Sequence, residues 1–399
     1  MEKNAYERIR RSSEAVYPRV VRLRRRIHAH PELSGHETGT ARLAYEFLKD
    51  LGVRARYCVR RTGVVGTLRN GSGPTVVLRA DMDALPVEEK NDVPYRSRHR
   101  GVMHACGHDM HTAALLGAAR VLVRLRKLWQ GTVVFLFQPS EEVEPGGASA
   151  MIAEGVFPED ADSVFGLHVS SDHPTGRVGI KSGVDGSAVL GFDVRVKGRG
   201  GHGAFPHKAV DPIVCASSMI LDLQTLISRE CPAVEPAVLT VGSLHAGTKR
   251  NVIPDEAVFH GTIRTLSDTL QRQLRRRVAQ CLRTAARSFR AGVEVRFEQS
   301  YPSGYNDPSL VKEARKHLVG ILGTGNVVSR AKPSMGAEDF AYFQKLVPGL
   351  YVHLGVRPRG ARRMADIHSA TFLPDEHALR TAIMVHAGLA VGRLRREQA

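Results

Sequence analysis

The segment His104-Ala105-Cys106-Gly107-His108-Asp109-Met110-His111 gathers a thiol and three imidazoles in one short stretch. Thiolate and imidazole together suit zinc and its transition-metal neighbours. Cys106 and His108 are two positions apart, so a regular helix cannot present both on one face. A turn eased by Gly107 and leading into a helix is expected instead. A lone Cys-x-His pair reads first as a buried thiol beside capping histidines, but Glu142, His168 and His368 supply further candidate ligands and favour a metal. Adjacent carboxylates Glu141 and Glu142 project in different directions from an extended backbone, so one can bind metal while its neighbour handles protons. An exposed acidic loop is the ordinary alternative for that pair.

These groups need elements to hold them. Four apolar, β-branched runs at 63–69, 75–80, 131–137 and 163–169 have the length of buried strands and alternate with helix-like stretches. They predict a mixed, mostly parallel sheet covered by helices. Asp81-Met82-Asp83 follows the second run, Glu141-Glu142 the third, and His168 closes the fourth. In open α/β sheets, ligands bind outside the carboxyl ends of the strands, so these groups are expected to converge on one crevice. The apolar pattern after His108 predicts a long buried helix, with Asp109 available to cap its first turn.

From about residue 182 the pattern changes. A strand at 189–197, an amphipathic helix at 211–228, strands at 237–244 and 256–265, a helix at 268–290 and a strand at 292–298 give the order β-α-β-β-α-β. That order predicts a ferredoxin-like α+β domain inserted at 182–295. Residues 1–181 and 296–399 then form the catalytic domain. A chain of 399 residues fits two domains, since single cores stop growing beyond about 250 to 300 residues.

The formal net charge of +17 raises a nucleic-acid reading. The basic clusters at 22–26 and 272–290 fall on helix-like segments where a solvated face is the simpler account, and no nucleic-acid-binding motif accompanies them. Nucleic acid is therefore not an expected partner. No apolar run reaches the roughly 18 to 20 residues of a membrane-spanning helix. The mixed-charge start lacks a signal-peptide pattern, and the five cysteines form no disulfide framework. A cytoplasmic protein is expected.

Taken in order, the motifs resemble those of the M20 metallopeptidase family, in its branch of N-acyl-amino-acid amidohydrolases that includes hippurate and auxin-conjugate hydrolases. The resemblance begins at Leu23-Arg24-Arg25-Arg26-Ile27-His28-Ala29-His30-Pro31-Glu32-Leu33. It runs through Arg79-Ala80-Asp81-Met82-Asp83-Ala84-Leu85-Pro86, the stretch 103–112, Gln138-Pro139-Ser140-Glu141-Glu142 and Gly166-Leu167-His168. It continues through Gly200-Gly201-His202-Gly203, Asn251-Val252-Ile253-Pro254 and Met335-Gly336-Ala337-Glu338-Asp339-Phe340 to the region of His368.

The resemblance implies that Cys106, His108, Glu142, His168 and His368 bind two divalent metals, zinc, manganese or cobalt, with Glu141 as general acid/base. Asp83 resembles the family's carboxylate that orients a metal-binding imidazole; a salt bridge to Arg79 is the alternative. Asp81 stands where other branches carry a metal-binding histidine, and Cys106 would replace that ligand. His202 is implied as an oxyanion or substrate contact, reaching the partner's site in a homodimer joined through the inserted dimerisation (lid) domain. Asn251 and Arg264 resemble substrate-binding groups, the Arg264 fork suiting a carboxylate, with a surface charge on a strand face the equal alternative for Arg264. His28, His36, His104, His111, Glu338 and Asp339 are expected to brace the site or cap helices. The implied activity is hydrolysis of the amide bond of small N-acyl amino acids. A dipeptidase or carboxypeptidase on the same fold is the nearest alternative, and a basic nucleic-acid-binding protein a remote one.

Overall fold

In a computed structural model that describes residues 2–395, the helices α1 (Glu2–His28) and α2 (Thr38–Asp50) precede three strands, β1 (Arg54–Cys58), β2 (Gly63–Asn70) and β3 (Thr75–Asp81). Then come α3 (His108–Arg124), β4 (Gly131–Gln138), α4 (Gly147–Ala153), β5 (Ala161–Pro174), β6 (Val178–Ile180) and β7 (Gly183–Gly186). The chain continues through β8 (Ala188–Lys197), β9 (Gly201–His202), α5 (Pro212–Thr225), β10 (Ala237–Ala246), β11 (Val252–Ile253), β12 (Glu256–Thr265), α6 (Asp268–Ser288) and β13 (Gly292–Tyr301). It closes with β14 (Gly304–Asn306), α7 (Pro308–Leu322), β15 (Val327–Ser329), α8 (Ala341–Gln344), β16 (Gly349–Arg357) and α9 (Ala378–Arg393).

Two compact units result. Among the described residues the first comprises 2–185, Tyr305–Lys332 and 339–395; the second is Gly186–Gly304 with Pro333–Glu338. The first unit holds an eight-stranded sheet ordered β1-β2-β4-β3-β5-β16-β6-β15. Strands β4, β3, β5 and β16 run parallel, as do β6 and β15; the pairs β1/β2, β2/β4 and β16/β6 are antiparallel. Every residue of β3 is buried, as a parallel strand covered on both faces requires. Helix α3 is buried nearly all round because small and aliphatic residues, Ala113 to Ala119, occupy every face.

The second unit pairs β10-β12-β8-β13 throughout in antiparallel register. Of the four strands in this sheet, the first and third in chain order, β8 and β12, lie inside and the second and fourth, β10 and β13, at the edges, which is the ferredoxin-like order. The pairing of β13 with β8 continues to Tyr301 opposite Val189, so the unit extends past residue 295. Asp211 caps α5 by accepting the Ile213 amide at 2.8 Å, and Ser267 caps α6 through the Leu270 amide at 3.2 Å. Along α6 the buried residues Leu270, Leu274, Val278 and Leu282 recur every fourth position, leaving Arg272, Arg276, Arg283 and Arg287 exposed on the opposite side.

Two local expectations change. The N-cap of α3 is Gly107 at φ +82°, with no side-chain cap. Asp109 instead pairs with Arg24 Nε at 2.6 Å and His28 Nδ1 at 2.8 Å, because a carboxylate buried this deeply needs charged donors more than one backbone amide. For the same reason the basic cluster at 22–26 is not wholly a solvated face: Arg24 is fully buried. Among the described residues no helix is long and apolar enough to cross a membrane.

Leu282 is fully buried between α6 and the sheet of the second unit. Leu282→Ala is expected to destabilise that unit by about 2 to 5 kcal/mol, read from denaturant unfolding.

Candidate metal centre

Asp83 follows β3, and His108 opens α3. Their side chains meet at 3.1 Å, Asp83 Oδ1 to His108 Nδ1. The expected alternative, Asp83 with Arg79, is not the pairing found: Arg79 binds Asp81 at 2.5 Å, Asp339 at 2.8 Å and Gln138 at 2.8 Å. Held through Nδ1, His108 turns Nε2 inward, where it lies 3.9 Å from Glu142 Oε1. Both atoms are buried without a hydrogen bond. Cys106 Sγ lies 3.3 Å from His168 Nε2, and His168 Nδ1 donates to the Val169 carbonyl at 2.7 Å. A carbonyl only accepts, so the proton sits on Nδ1 and the Nε2 lone pair faces the thiol. His368 Nε2 is 3.3 Å from Glu142 Oε1.

Cys106, His108 and His168 offer ligand atoms within 4.8 Å of one another, as do Cys106, Glu142 and His368, and His108, Glu141 and Glu142. The five expected ligands, Glu141 and Asp83 are thus brought together. Buried orphan atoms facing one another across thiol, imidazole and carboxylate fit a divalent cation. Asp81, His108 and His111 form another such group. There, however, His111 Nδ1 donates to Asp81 at 2.6 Å while its Nε2 accepts the Val169 amide at 2.9 Å, leaving neither ring nitrogen open.

Backbone strain surrounds the cluster. Gly107, Ser140 and His368 all take positive φ, at +82°, +55° and +65°. Such conformations in residues other than glycine concentrate at functional sites. The Ser140 turn packs so closely on α4 that a side chain at Gly147 would collide with the Pro139 carbonyl.

The charges ask for a cation. Burial opposes a proton on His108, but Asp81, Asp83 and Glu142 outweigh it and push the imidazole up to about 10. Burial and the neighbouring Glu142 and Glu141 raise the Cys106 thiol well above its ordinary range, and burial with nearby His111 lowers His168. Asp83 is held below the usual carboxylate range: burial opposes the shift, and the hydrogen bond and charge of His108 overcome it. A divalent ion would invert this balance, favouring thiolate and neutral imidazole.

Of the bracing group, His28 bridges Asp109 and Glu89, and Asp339 accepts from Arg79 and Gln138. His104 is buried with neither ring nitrogen bonded, and burial lowers it to about 3. His36 is exposed; the buried residue is its neighbour Glu37. Nothing in residue type marked Glu37 as a partner of the Ser140 turn, because the two are distant in sequence.

His202, Asn251 and Arg264 belong to the second unit. His202 is exposed on β9, opposite Val252 of β11, and accepts the Ala204 amide through Nδ1 at 3.1 Å. Asn251 precedes β11 and accepts the Gly203 amide through its carbonyl at 2.9 Å. Arg264 lies on β12, half-buried, donating to the Met335 carbonyl at 3.0 Å.

An α/β sheet with this donor set at its strand ends is the architecture of a metallohydrolase. The chain belongs to peptidase family M20/M25/M40, whose model matches residues 77–391. It is 38% identical over 389 residues to thermostable carboxypeptidase 2 of Saccharolobus solfataricus, covering 96% of this chain and 98% of that one. It is 38% identical over 364 residues to the N-acetyl-L-cysteine deacetylase of Bacillus subtilis, covering 90% and 84%. A Bacillus subtilis structure described as a dinuclear metal binding peptidase from the M20 family superposes with a TM-score of 0.83 at 32% identity, covering 96% and 99%.

In metal-free protein the folded chain keeps a proton on His108 that the unfolded chain releases between pH 6.5 and about 10. That stabilisation is complete below pH 6.5 and is lost as pH rises through the window. Unfolding of EDTA-treated protein should show stability falling there, and His108→Gln should flatten the fall.

Proposed function

We propose that the chain is a metal-dependent amidohydrolase that cleaves small N-acyl amino acids to a carboxylate and a free amino acid. The observation that carries this reading is the buried His108 Nε2, which has no hydrogen bond and faces Glu142 Oε1 among Cys106, His168, His368 and Glu141. Cys106, His108, Glu142, His168 and His368 would hold two divalent ions, of zinc, manganese or cobalt. Cys106 is common to two of the triads. When bound, the ions supply Lewis acidity to the scissile carbonyl and acidify water.

Glu141 takes the proton of the attacking water and returns it to the leaving amine nitrogen. Asp83 holds the His108 ring and the Glu142 amide while this happens. His202 contributes a donor to the oxyanion. Asn251 and Arg264 contact the polar end of the substrate; with one Arg264 nitrogen on Met335, the rest of the fork remains for a carboxylate. A thiol that must stay reduced to act suits a reducing, cytoplasmic compartment.

Glu141→Gln should keep its metal and lose about 10²-fold to 10⁴-fold in kcat. Cys106→Ser should lose metal and activity together. Metal analysis beside turnover separates the two, and a Glu141→Gln protein with full metal and near-normal kcat would exclude the assigned role. The 38% identity to a carboxypeptidase over nearly the whole chain favours a second reading, peptide cleavage. Faster hydrolysis of dipeptides than of acetyl- or benzoyl-amino acids by the zinc-, manganese- and cobalt-loaded forms would establish it.

The working unit is a homodimer built through the second unit, with each His202 serving the partner's site. Support comes from the free edge of β10 and from apolar side chains exposed beside it, Val238 and Leu244 on β10 with Val214 and Leu221 on α5. Pairing two such edges makes a closed two-fold contact. Mixing inactive His202→Ala with inactive Glu141→Ala under subunit exchange should restore about a quarter of normal activity, since about half the dimers are mixed and each has one complete site. Exchange without recovery would refute the trans arrangement.

A further inference from the structure

The turn carrying Glu141 and Glu142 is gripped by a residue that no step above uses. Glu37 is fully buried. Its Oε1 accepts the Ser140 amide at 2.7 Å and lies 3.4 Å from the Ser140 hydroxyl, while Oε2 is buried with no hydrogen bond. Glu37 occupies the N-cap position of α2, where an acidic side chain ordinarily accepts the first helical amides. Glu32 does that instead, accepting Gly39 N and Thr40 N at 2.8 Å each. Helix capping therefore does not explain Glu37. A carboxyl turned away from its own helix, and buried with one oxygen unsatisfied, is costly unless the contact it makes has a use.

The contact falls at a strained point. Ser140 sits at φ +55°, a region that residues with a side chain avoid. Two residues on, Asp83 Oδ2 accepts the Glu142 amide at 3.0 Å. The amides on both sides of Glu141 are thus each held by a buried carboxyl group. The segment before α2 bears on both restraints: it leads into Glu37, and its Ser34 donates to the same Asp83 oxygen at 2.7 Å.

We infer that Glu37 is a positioning residue for Glu141: by accepting the Ser140 amide it pins the left-handed turn and so aims the Glu141 carboxylate. The consequence for turnover rests on the proposed amide hydrolysis, whereas the clamp itself rests on geometry alone. Burial, reinforced by the charge of Asp83, pushes the Glu37 carboxyl up to about 7. Glutamine, uncharged and with one amide oxygen to accept, is therefore the conservative replacement.

The test compares Glu37→Gln, Glu37→Ala and the double variant Glu37→Ala/Ser140→Gly in the metal-loaded dimer. Glu37→Ala should lose about 10²-fold in kcat, the effect of a displacement near 1 Å, with KM within about threefold and metal content unchanged. Glu37→Gln should stay within about fivefold of the unmodified protein. Adding Ser140→Gly should recover about tenfold of the loss, since glycine takes positive φ without a clamp. Hydrogen exchange of a peptide spanning 138–143 should be slow in the unmodified protein and Glu37→Gln and fast in Glu37→Ala. If the unmodified protein hydrolyses no acyl amino acid, the functional reading fails while this exchange pattern still decides the clamp. A folded Glu37→Ala with unchanged kcat and exchange, or Glu37→Gln as impaired as Glu37→Ala, overturns the inference. Should Glu37→Ala not fold, fast exchange at 138–143 in the unmodified protein overturns it as well.

Discussion

The centre hangs from one carboxylate. Asp83, buried where the chain leaves β3, holds the His108 ring through Oδ1 and receives the Ser34 hydroxyl and the Glu142 amide through Oδ2. An ionised carboxylate without water must find this many donors or give up its charge. In finding them, Asp83 joins the segment before α2, the start of α3 and the turn after β4. It also decides that His108 points Nε2, and not Nδ1, into the cluster. His108 is raised first by the charge of Asp81 and then by its contact with Asp83, and that same contact depresses Asp83.

Around Asp83, buried charge continues the job that apolar packing does deeper in the sheet. Arg79 spans Asp81, Gln138 and Asp339, so the ends of β3 and β4 and the segment before α8 share one guanidinium. Asp81 passes the restraint through His111 to the Val169 amide, next to His168. On the other side Arg24, Asp109, His28 and Glu89 tie α1 to the first turn of α3. Removing one partner from such a pair typically costs 3 to 5 kcal/mol, more than most apolar truncations at a surface.

The second unit follows a simpler logic. One amphipathic sheet and two capped helices enclose a single core, and Arg272, Arg276, Arg283 and Arg287 of α6 stay in solvent. Much of the +17 charge is accounted for by such faces, yet Arg24 and Arg79 are fully buried and structural. Net charge therefore says little about which individual arginines matter.

Strand runs, helix periods and the βαββαβ order were legible in the sequence because each depends on near neighbours along the chain. Candidate donors were visible too, since thiol, imidazole and paired carboxylates after apolar runs carry their chemistry in their residue types, while the assignment of particular ligands came from the family resemblance. Pairings were not legible. Whether Asp83 would meet Arg79 or His108, whether Asp109 would cap a helix or neutralise Arg24, and whether His111 would be open or satisfied all turned on contacts between distant segments. Glu37 shows the limit most clearly. By position it is a helix N-cap, and only the approach of the Ser140 turn, more than a hundred residues away, gives its carboxyl another partner. Local sequence determines what a side chain is able to do, whereas tertiary structure decides which of its possible partners arrives, because burial removes water as the competitor and makes each remaining donor and acceptor count.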